Sequence, residues 1–166
     1  TGVYRFMTIV NIVRWVHILS GVAWVGEVVT INFVLVPALL KMKKEIRGSF
    51  ISQVFPRIFQ VASVLSLTAI VSGLAMSYLL TGWRNLGELL ATRWGIGILL
   101  GGSLALLLTL FHFFVESRLE PIAINADSGD EENINKIVSV LKVVPRVGLG
   151  ILVVIVLSMM IAARGF

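Results

Sequence analysis

Apolar residues dominate four segments of the chain, at about 7–40, 59–80, 94–115 and 137–163. A membrane-spanning helix needs about 20 mainly apolar residues, and each segment is long enough to provide them. A backbone in lipid must satisfy its own hydrogen bonds, and the segments lack the alternation of barrel strands, so we expect helices. The pattern predicts a single transmembrane domain over residues 1–166, an all-α integral membrane bundle of four transmembrane helices.

The first segment is too long for one upright span. We therefore expect it to tilt strongly or to project from the membrane at one end. It continues to Leu40 without a small-residue cleavage site followed by a polar start, so it is not predicted to be a signal peptide.

Composition supports the membrane class. The chain is 57% hydrophobic and 14% charged, with a mean hydropathy of +0.96. Its net charge of +5 does not indicate a nucleic-acid partner, because the basic residues lie at the ends of apolar runs, where they meet lipid headgroups. The absence of cysteine excludes disulfides, iron–sulfur clusters and thiolate metal sites. Motifs of soluble catalysts are also lacking.

The distribution of Lys and Arg predicts the orientation of the bundle. The connections after the first and third segments together hold more Lys and Arg than the middle connection and the two termini. By the positive-inside rule these two connections lie inside, and the N- and C-termini lie outside the cell membrane. The polar stretch before the fourth segment is expected to cap its helix.

Small residues occur throughout the predicted helices, among them Gly21, Gly73, Gly97, Gly101 and Gly148. One interpretation is close helix–helix approach, which membrane bundles need and which also favours a homo-oligomer. The other is that some glycines leave space for a flat cofactor beside a helix that carries its ligand.

Both histidines of the chain, His17 and His112, fall within apolar segments. An ionisable group in hydrocarbon is costly, so an intramembrane histidine is a candidate for function. Neutral imidazole is a ligand for haem iron and for copper, which makes both residues candidate cofactor and metal ligands. The alternative for His112, four residues before Glu116, is an interhelical hydrogen bond near the headgroups.

The surroundings of His17 suggest a haem pocket. Gly21 lies one turn away and leaves a gap for a porphyrin edge, and Trp24 lies two turns away on the same face. Arg14, one turn before His17, is placed for a haem propionate or for snorkelling to the headgroups. The candidate second ligand is His112 or a methionine, which can be Met76, Met159 or Met160. His17 and His112 differ in depth by about 12 Å, which suits two separate sites as well as one tilted haem.

Glu27 is the remaining ionisable residue within the first segment. It can form a buried ion pair with Arg14, Lys142 or Arg146, act in a proton relay, be the counterion of a bound cation, or remain neutral and hydrogen-bonded.

Several short motifs resemble the CopD-like family of membrane proteins, to which the HemJ-type protoporphyrinogen oxidases are related. The motifs are Trp15-Val-His17, Trp24-Val-Gly26, Pro37, Arg57, Ser72-Gly73-Leu74 and Arg93-Trp94-Gly95. The resemblance implies a helical membrane module that binds haem b or copper, with His17 as an axial ligand. The stretch from Gly95 to Gly102 lacks the lysine that matters in HemJ-type enzymes, so their activity is not implied here.

The sequence therefore predicts a membrane-bound b-type haem protein. Electron transfer, or haem-dependent oxidoreductase chemistry linked to quinol or to a redox partner protein, is the expected function. The alternatives are CopD-like copper binding or transport, and a cofactor-free subunit of a larger membrane complex.

Overall fold

The structure, a computed structural model, describes residues 2–82 and 86–164. In chain order the helices are α1 Gly2–Thr30, α2 Val36–Lys41, α3 Lys44–Thr81, α4 Leu86–Ala91, α5 Arg93–Ile124 and α6 Glu131–Arg164. A π-helical turn, Ile31–Leu35, continues α1 into α2, and a 3-10 turn, Ala126–Ser128, precedes α6. Within the described ranges, four helical segments are long and apolar enough to cross a membrane: Gly2–Lys41, α3, α5 and Glu131–Ala163. The predicted all-α bundle is confirmed.

Local sequence explains where these helices begin and end. Gly82, with φ of 61°, terminates α3 and donates from its N–H to the Tyr78 carbonyl. Thr92 begins α5, because its hydroxyl oxygen accepts from the Gly95 N–H at 3.0 Å. Asp130 caps α6 by accepting from the N–H of Glu132 at 3.0 Å. The cap of the fourth long helix therefore lies in the polar stretch that predicted it.

The helices are longer than the apolar segments that predicted them. α3 begins at Lys44 rather than near residue 59, α5 continues to Ile124, and α6 begins at Glu131. At 38 residues, α3 is about 57 Å long, against about 30 Å for the hydrocarbon of a bilayer. The apolar pattern marks the part of each helix that faces lipid. The helices then continue beyond it, because a second apolar core holds them together.

Both connections at this extended end, Met42–Lys43 and residues 125–130, lie on the same side of the bundle. Gly48 at the start of α3 contacts the backbone of Ala126 so closely that a side chain at Gly48 would clash with the Ala126 carbonyl. We call this the Lys43 end. The other end, which holds the start of α1 and of α5, is the Arg93 end.

The first long helix changes its winding before Pro37. Proline has no N–H and its ring clashes with the carbonyl four residues earlier, here that of Phe33. The π-helical turn Ile31–Leu35 widens the helix at this place, and the Val36 N–H donates to the Ile31 carbonyl. Nearby, the Asn32 amide donates to the Pro145 carbonyl of α6 at 2.8 Å. This hydrogen bond links the first and last long helices.

The long helices pack in chain order, α1 on α3, α3 on α5 and α5 on α6, with fewer contacts between α1 and α6. At the Lys43 end, a core built around Leu39, Ile51, Phe55 and Ile137 is fully buried. A smaller core nearer the Arg93 end contains Trp24, Ala105, Leu108, Leu152 and Ile155. The tightest packing therefore lies beside the charged connections, and the membrane-embedded half is more loosely filled.

Large apolar side chains cover the outer faces of the long helices, including exposed Val22, Val64, Leu107 and Val154. No charged residue occurs from residue 58 to 80 or from 147 to 163. Contiguous apolar surface of this kind needs an apolar solvent, so the bundle is a multi-pass membrane protein.

Candidate cofactor site and histidine network

His17 projects from α1 onto α3, where its ring Nδ1 lies 2.9 Å from the carbonyl oxygen of Ala69. Ser72 is beside it, with its hydroxyl oxygen 3.5 Å from the same nitrogen and a hydrogen bond of its own to the Thr68 carbonyl. The imidazole is half-buried between the two helices. The first long helix thus holds its histidine in one orientation through a backbone acceptor on its neighbour.

The partner of Nδ1 determines the tautomer of His17. A carbonyl oxygen can only accept, so Nδ1 carries the hydrogen, and the neutral ring has its lone pair on Nε2. Within residues 2–82 and 86–164, Nε2 has no hydrogen-bond partner. A histidine that donates from one ring nitrogen to a carbonyl and presents the other is the usual arrangement of a metal-ligating imidazole.

His112 has a different environment, between α5 and α3. Its Nε2 lies 3.0 Å from the Ser63 hydroxyl, which in turn donates to Glu116 Oε2 at 2.7 Å. Because the single hydroxyl hydrogen of Ser63 goes to the carboxylate, Ser63 accepts from Nε2–H of His112. Glu116 Oε2 is itself 3.6 Å from Nε2. We call these three side chains the His112 network.

The two histidines do not share a site in this structure. His17 contacts α3 at Ala69 and Ser72, whereas His112 contacts α3 at Ser63. The contact points lie six to nine residues apart on α3, a difference in depth of about 9 to 14 Å that includes the offset of about 12 Å expected from the sequence. Nε2 of His112 is also committed to the network. The arrangement favours two separate sites over one iron between both rings.

A cavity of about 100 Å³ lies at the centre of the bundle and is lined by α1, α3, α5 and α6. Trp24 and His112 line it, together with aliphatic and aromatic residues such as Phe59, Leu108 and Gly148. His17 does not line it. Sites for drug-sized ligands occupy roughly 300–1,000 Å³, so this cavity does not fit a porphyrin.

The other candidate residues around His17 are spread over several environments. Trp24 is only 5% exposed and belongs to the buried cluster that includes Leu108 of α5 and Leu152 of α6. Gly21 has open space around it, since a Cβ there would meet no atom within 4 Å. Arg14 is exposed and Met76 is half-buried. Gly21 lies one turn after His17 on α1. Met76 lies one turn after Gly73, the residue of α3 that the His17 ring contacts.

Glu27 shows neither the predicted ion pair nor a hydrogen bond. Both of its carboxyl oxygens are buried and lack a partner among the described residues. The cations considered for it, Arg14, Lys142 and Arg146, are all exposed. The carboxyl group is therefore an unsatisfied polar group within the first long helix.

Several contacts of this region could not be found from the sequence. Ser63 gave no signal beyond being one of several small residues, and its partners on α5 are about 50 positions away. The spacing of His112 and Glu116, one turn apart on α5, is the only local sign of the network. Asn32, which holds Pro145, had a signal in principle, because an amide within an apolar segment needs a partner.

The described residues contain no cluster of three or more histidine, aspartate or glutamate side chains arranged to hold a metal ion. Fold and surface define the class of protein, a four-helix integral membrane protein in which His17 and His112 each contact α3. The chain belongs to the family described as Domain of unknown function (DUF4149), whose model matches residues 19–125, more than half of the chain. No curated protein and no solved structure gives a match.

Proposed function

We propose that the protein is a membrane-bound b-type haem protein that transfers electrons, with His17 as an axial ligand. The observation that carries the proposal is the fixed tautomer of His17. Its Nδ1 donates to the Ala69 carbonyl at 2.9 Å, and Nε2 keeps a lone pair without a partner in the described chain. A backbone carbonyl in this position orients the ring and increases the basicity of the ligating nitrogen.

The haem, when bound, would supply one-electron redox chemistry within the membrane. The central cavity is too small for it. The open space at Gly21, one turn from His17, supports a site beside His17. Met76, one turn beyond Gly73 on the same face of α3, is the proposed second ligand. His112 is less suited, because its Nε2 already donates to Ser63.

The relationship to CopD-like and HemJ-like proteins, and the quinol or protein redox partner, are part of the same proposal. So is the orientation, with the Lys43 end inside the cell and both termini outside. Lys41, Lys43, Lys44 and Arg47 lie together at the Lys43 end, which supports that orientation.

The test is an optical spectrum of the full chain, produced with added haem and purified in detergent. We expect a Soret band that His17→Ala abolishes or strongly reduces. His112→Ala is the matched control, because it removes the other intramembrane imidazole, and it should retain the band.

A wild-type protein without a Soret band refutes the proposal. Copper in that preparation, measured by elemental analysis, would support the CopD-like alternative, and a colourless, metal-free preparation would support a cofactor-free subunit. A Soret band that His17→Ala leaves unchanged refutes the assignment of the ligand.

A further inference from the structure

The first half of α6 is amphipathic and presents a polar face to the outside of the bundle. Its inner face is buried and consists of Ile134, Ile137, Val138 and Leu141. The positions on the opposite face are all exposed and follow one another at helical spacing: Asn135, Ser139, Lys142 and Arg146. Two cations, Lys142 and Arg146, therefore lie one turn apart on a surface that the rest of the chain does not cover.

The depth of Arg146 distinguishes it from a cation that merely flanks a span. α3 has 23 uncharged residues, 58–80, which extend over about 35 Å and cross the hydrocarbon of a bilayer without a cation. α6 has only 17, residues 147–163, which extend over about 26 Å. Counted back from Ala163, where the span ends, the roughly 20 residues that cross the hydrocarbon reach past Arg146. Arg146 therefore lies inside the edge of the hydrocarbon, and Lys142 lies just outside it.

The two cations have no anionic partner within the part of the chain that the structure describes. Neither Lys142 nor Arg146 forms an ion pair or a hydrogen bond with a described side chain. Side chains of a helix lean toward its N-terminus, which for α6 lies at the Lys43 end, so both cations extend toward the headgroups on that side. An arginine at the edge of the hydrocarbon is costly without a counterion. At this position the lipid itself can supply the counterion.

We propose that Lys142 and Arg146 bind the headgroup phosphate of one anionic phospholipid, of which phosphatidylglycerol is an example. The guanidinium of Arg146 matches a phosphate bidentately, and Lys142, with its Cβ about 6 Å away, adds a point charge. Because the site has two positive charges, a headgroup that carries its own cation, as in phosphatidylcholine, is disfavoured. The inference is independent of the haem proposal.

Gly150 extends the site toward the acyl chains. It lies one turn deeper than Arg146 on the same face of α6, is exposed, and a Cβ there would meet no atom within 4 Å. Val147 and Val153 beside it are exposed apolar residues. A glycine between larger side chains leaves a shallow depression for an acyl chain. Along this face the polar and apolar groups therefore follow the order in which a phospholipid presents its headgroup and its chains.

The experiment measures lipid binding to the full chain in detergent by native mass spectrometry. Phosphatidylglycerol is the probe, and phosphatidylcholine with the same acyl chains is the reference without net charge. The test variant is Lys142→Gln/Arg146→Gln. The matched control, Lys44→Gln/Lys136→Gln, removes the same charge from exposed positions nearer the tip of the Lys43 end. Since all four positions are exposed, both variants should unfold in detergent like wild type, which is measured alongside.

We expect wild type to bind phosphatidylglycerol at least about tenfold more tightly than phosphatidylcholine. A basic residue near the membrane surface contributes about fivefold to the binding of anionic lipid, so the test variant should bind phosphatidylglycerol about 25-fold more weakly. The control variant should change the affinity by less than about twofold. Glycerol phosphate, the headgroup without acyl chains, should not displace the lipid even in large excess.

Equal affinity of the wild type for the two lipids overturns the inference. An equal loss in the control variant also overturns it, because general surface charge would then explain the binding. Displacement of the lipid by glycerol phosphate would show a site for a free phosphate ester and would refute the assignment to a membrane lipid. The haem proposal is judged separately by the Soret band, since haem-loaded and colourless protein can both be tested for lipid binding.

Discussion

The imidazole of His17 lies directly on Gly73 of α3. A Cβ at Gly73 would be 2.9 Å from Cε1 of the ring and 3.2 Å from Nδ1. In an α-helix the carbonyl of residue 69 is adjacent to residue 73, because it accepts the N–H four residues on. The missing side chain of Gly73 therefore gives His17 access to the Ala69 carbonyl. Gly73 and His17 form one structural unit.

Gly73→Ala should displace the His17 ring and break its hydrogen bond to Ala69. We expect the free energy of unfolding in detergent to fall by about 1–3 kcal/mol, the usual cost of overpacking. On the haem proposal, the amount of haem per protein should fall as well. Gly102→Ala is the control, since a Cβ there meets nothing within 4 Å. Wild-type stability and haem content in Gly73→Ala would contradict this account.

The sequence predicted the membrane part of the fold but not its extension. Apolarity identifies residues that face lipid, and the four spans follow from it. The Lys43 end mixes polar residues with buried Ile51, Phe55 and Ile137, as in a soluble bundle. A criterion based on continuous hydropathy does not detect a helix with such a mixed pattern.

The site was predictable only where an ionisable side chain marked it. His17 and His112 stand out in hydrocarbon, whereas the Ala69 carbonyl has no signature in the sequence. Contacts of the His112 network depend on the register of α3 against α5, which one sequence does not reveal. Spacing on α1 associates Trp24 with His17, but the spacing does not reveal the buried cluster with α5 and α6 to which Trp24 also belongs.

Individual glycines of α5 differ in how closely they contact α6. A Cβ at Gly97 would lie 2.9 Å from the backbone oxygen of Ser158, whereas at Gly101 it would lie 2.9 Å from the flexible end of Met159. Close approach, one of the two predicted roles of glycine, is thus present at these positions. Open space surrounds Gly21, Gly26, Gly102 and Gly150 instead.

Alanine substitutions should rank accordingly. We expect Gly97→Ala to lower the free energy of unfolding by about 1–3 kcal/mol and Gly101→Ala by less, because the Met159 side chain can move but backbone cannot. Gly102→Ala should raise it by about 0.5–1 kcal/mol, since alanine favours the helix and meets no clash. Unfolding of the three variants in one detergent measures the order, and a stable Gly97→Ala protein would be inconsistent with it.

Glu27 lowers the stability of the fold, because both of its buried carboxyl oxygens lack hydrogen-bond partners in the described chain. Glu27→Leu should therefore raise the free energy of unfolding by about 1–3 kcal/mol, the penalty of an unsatisfied buried polar group. Glu45→Leu, at an exposed position of α3, should change it by less than about 0.5 kcal/mol. If Glu27→Leu unfolds more easily than wild type, the carboxyl has a partner and the interpretation fails.

The orientation and the projecting Lys43 end can be tested together, because the chain has no native cysteine to interfere. Single cysteines at Gly2, Lys43, Gln53 and Val64 report four depths along the bundle. With a membrane-impermeant thiol reagent on intact cells, Gly2→Cys should react, and Lys43→Cys should react only after the cells are opened.

Gln53→Cys should behave like Lys43→Cys, because α3 is about 57 Å long and extends past the lipid there. Val64→Cys, exposed on the uncharged stretch of α3, should remain unlabelled in both conditions. Labelling of Lys43→Cys on intact cells would contradict the proposed orientation. Protection of Gln53→Cys in opened cells would show instead that the Lys43 end lies within the bilayer.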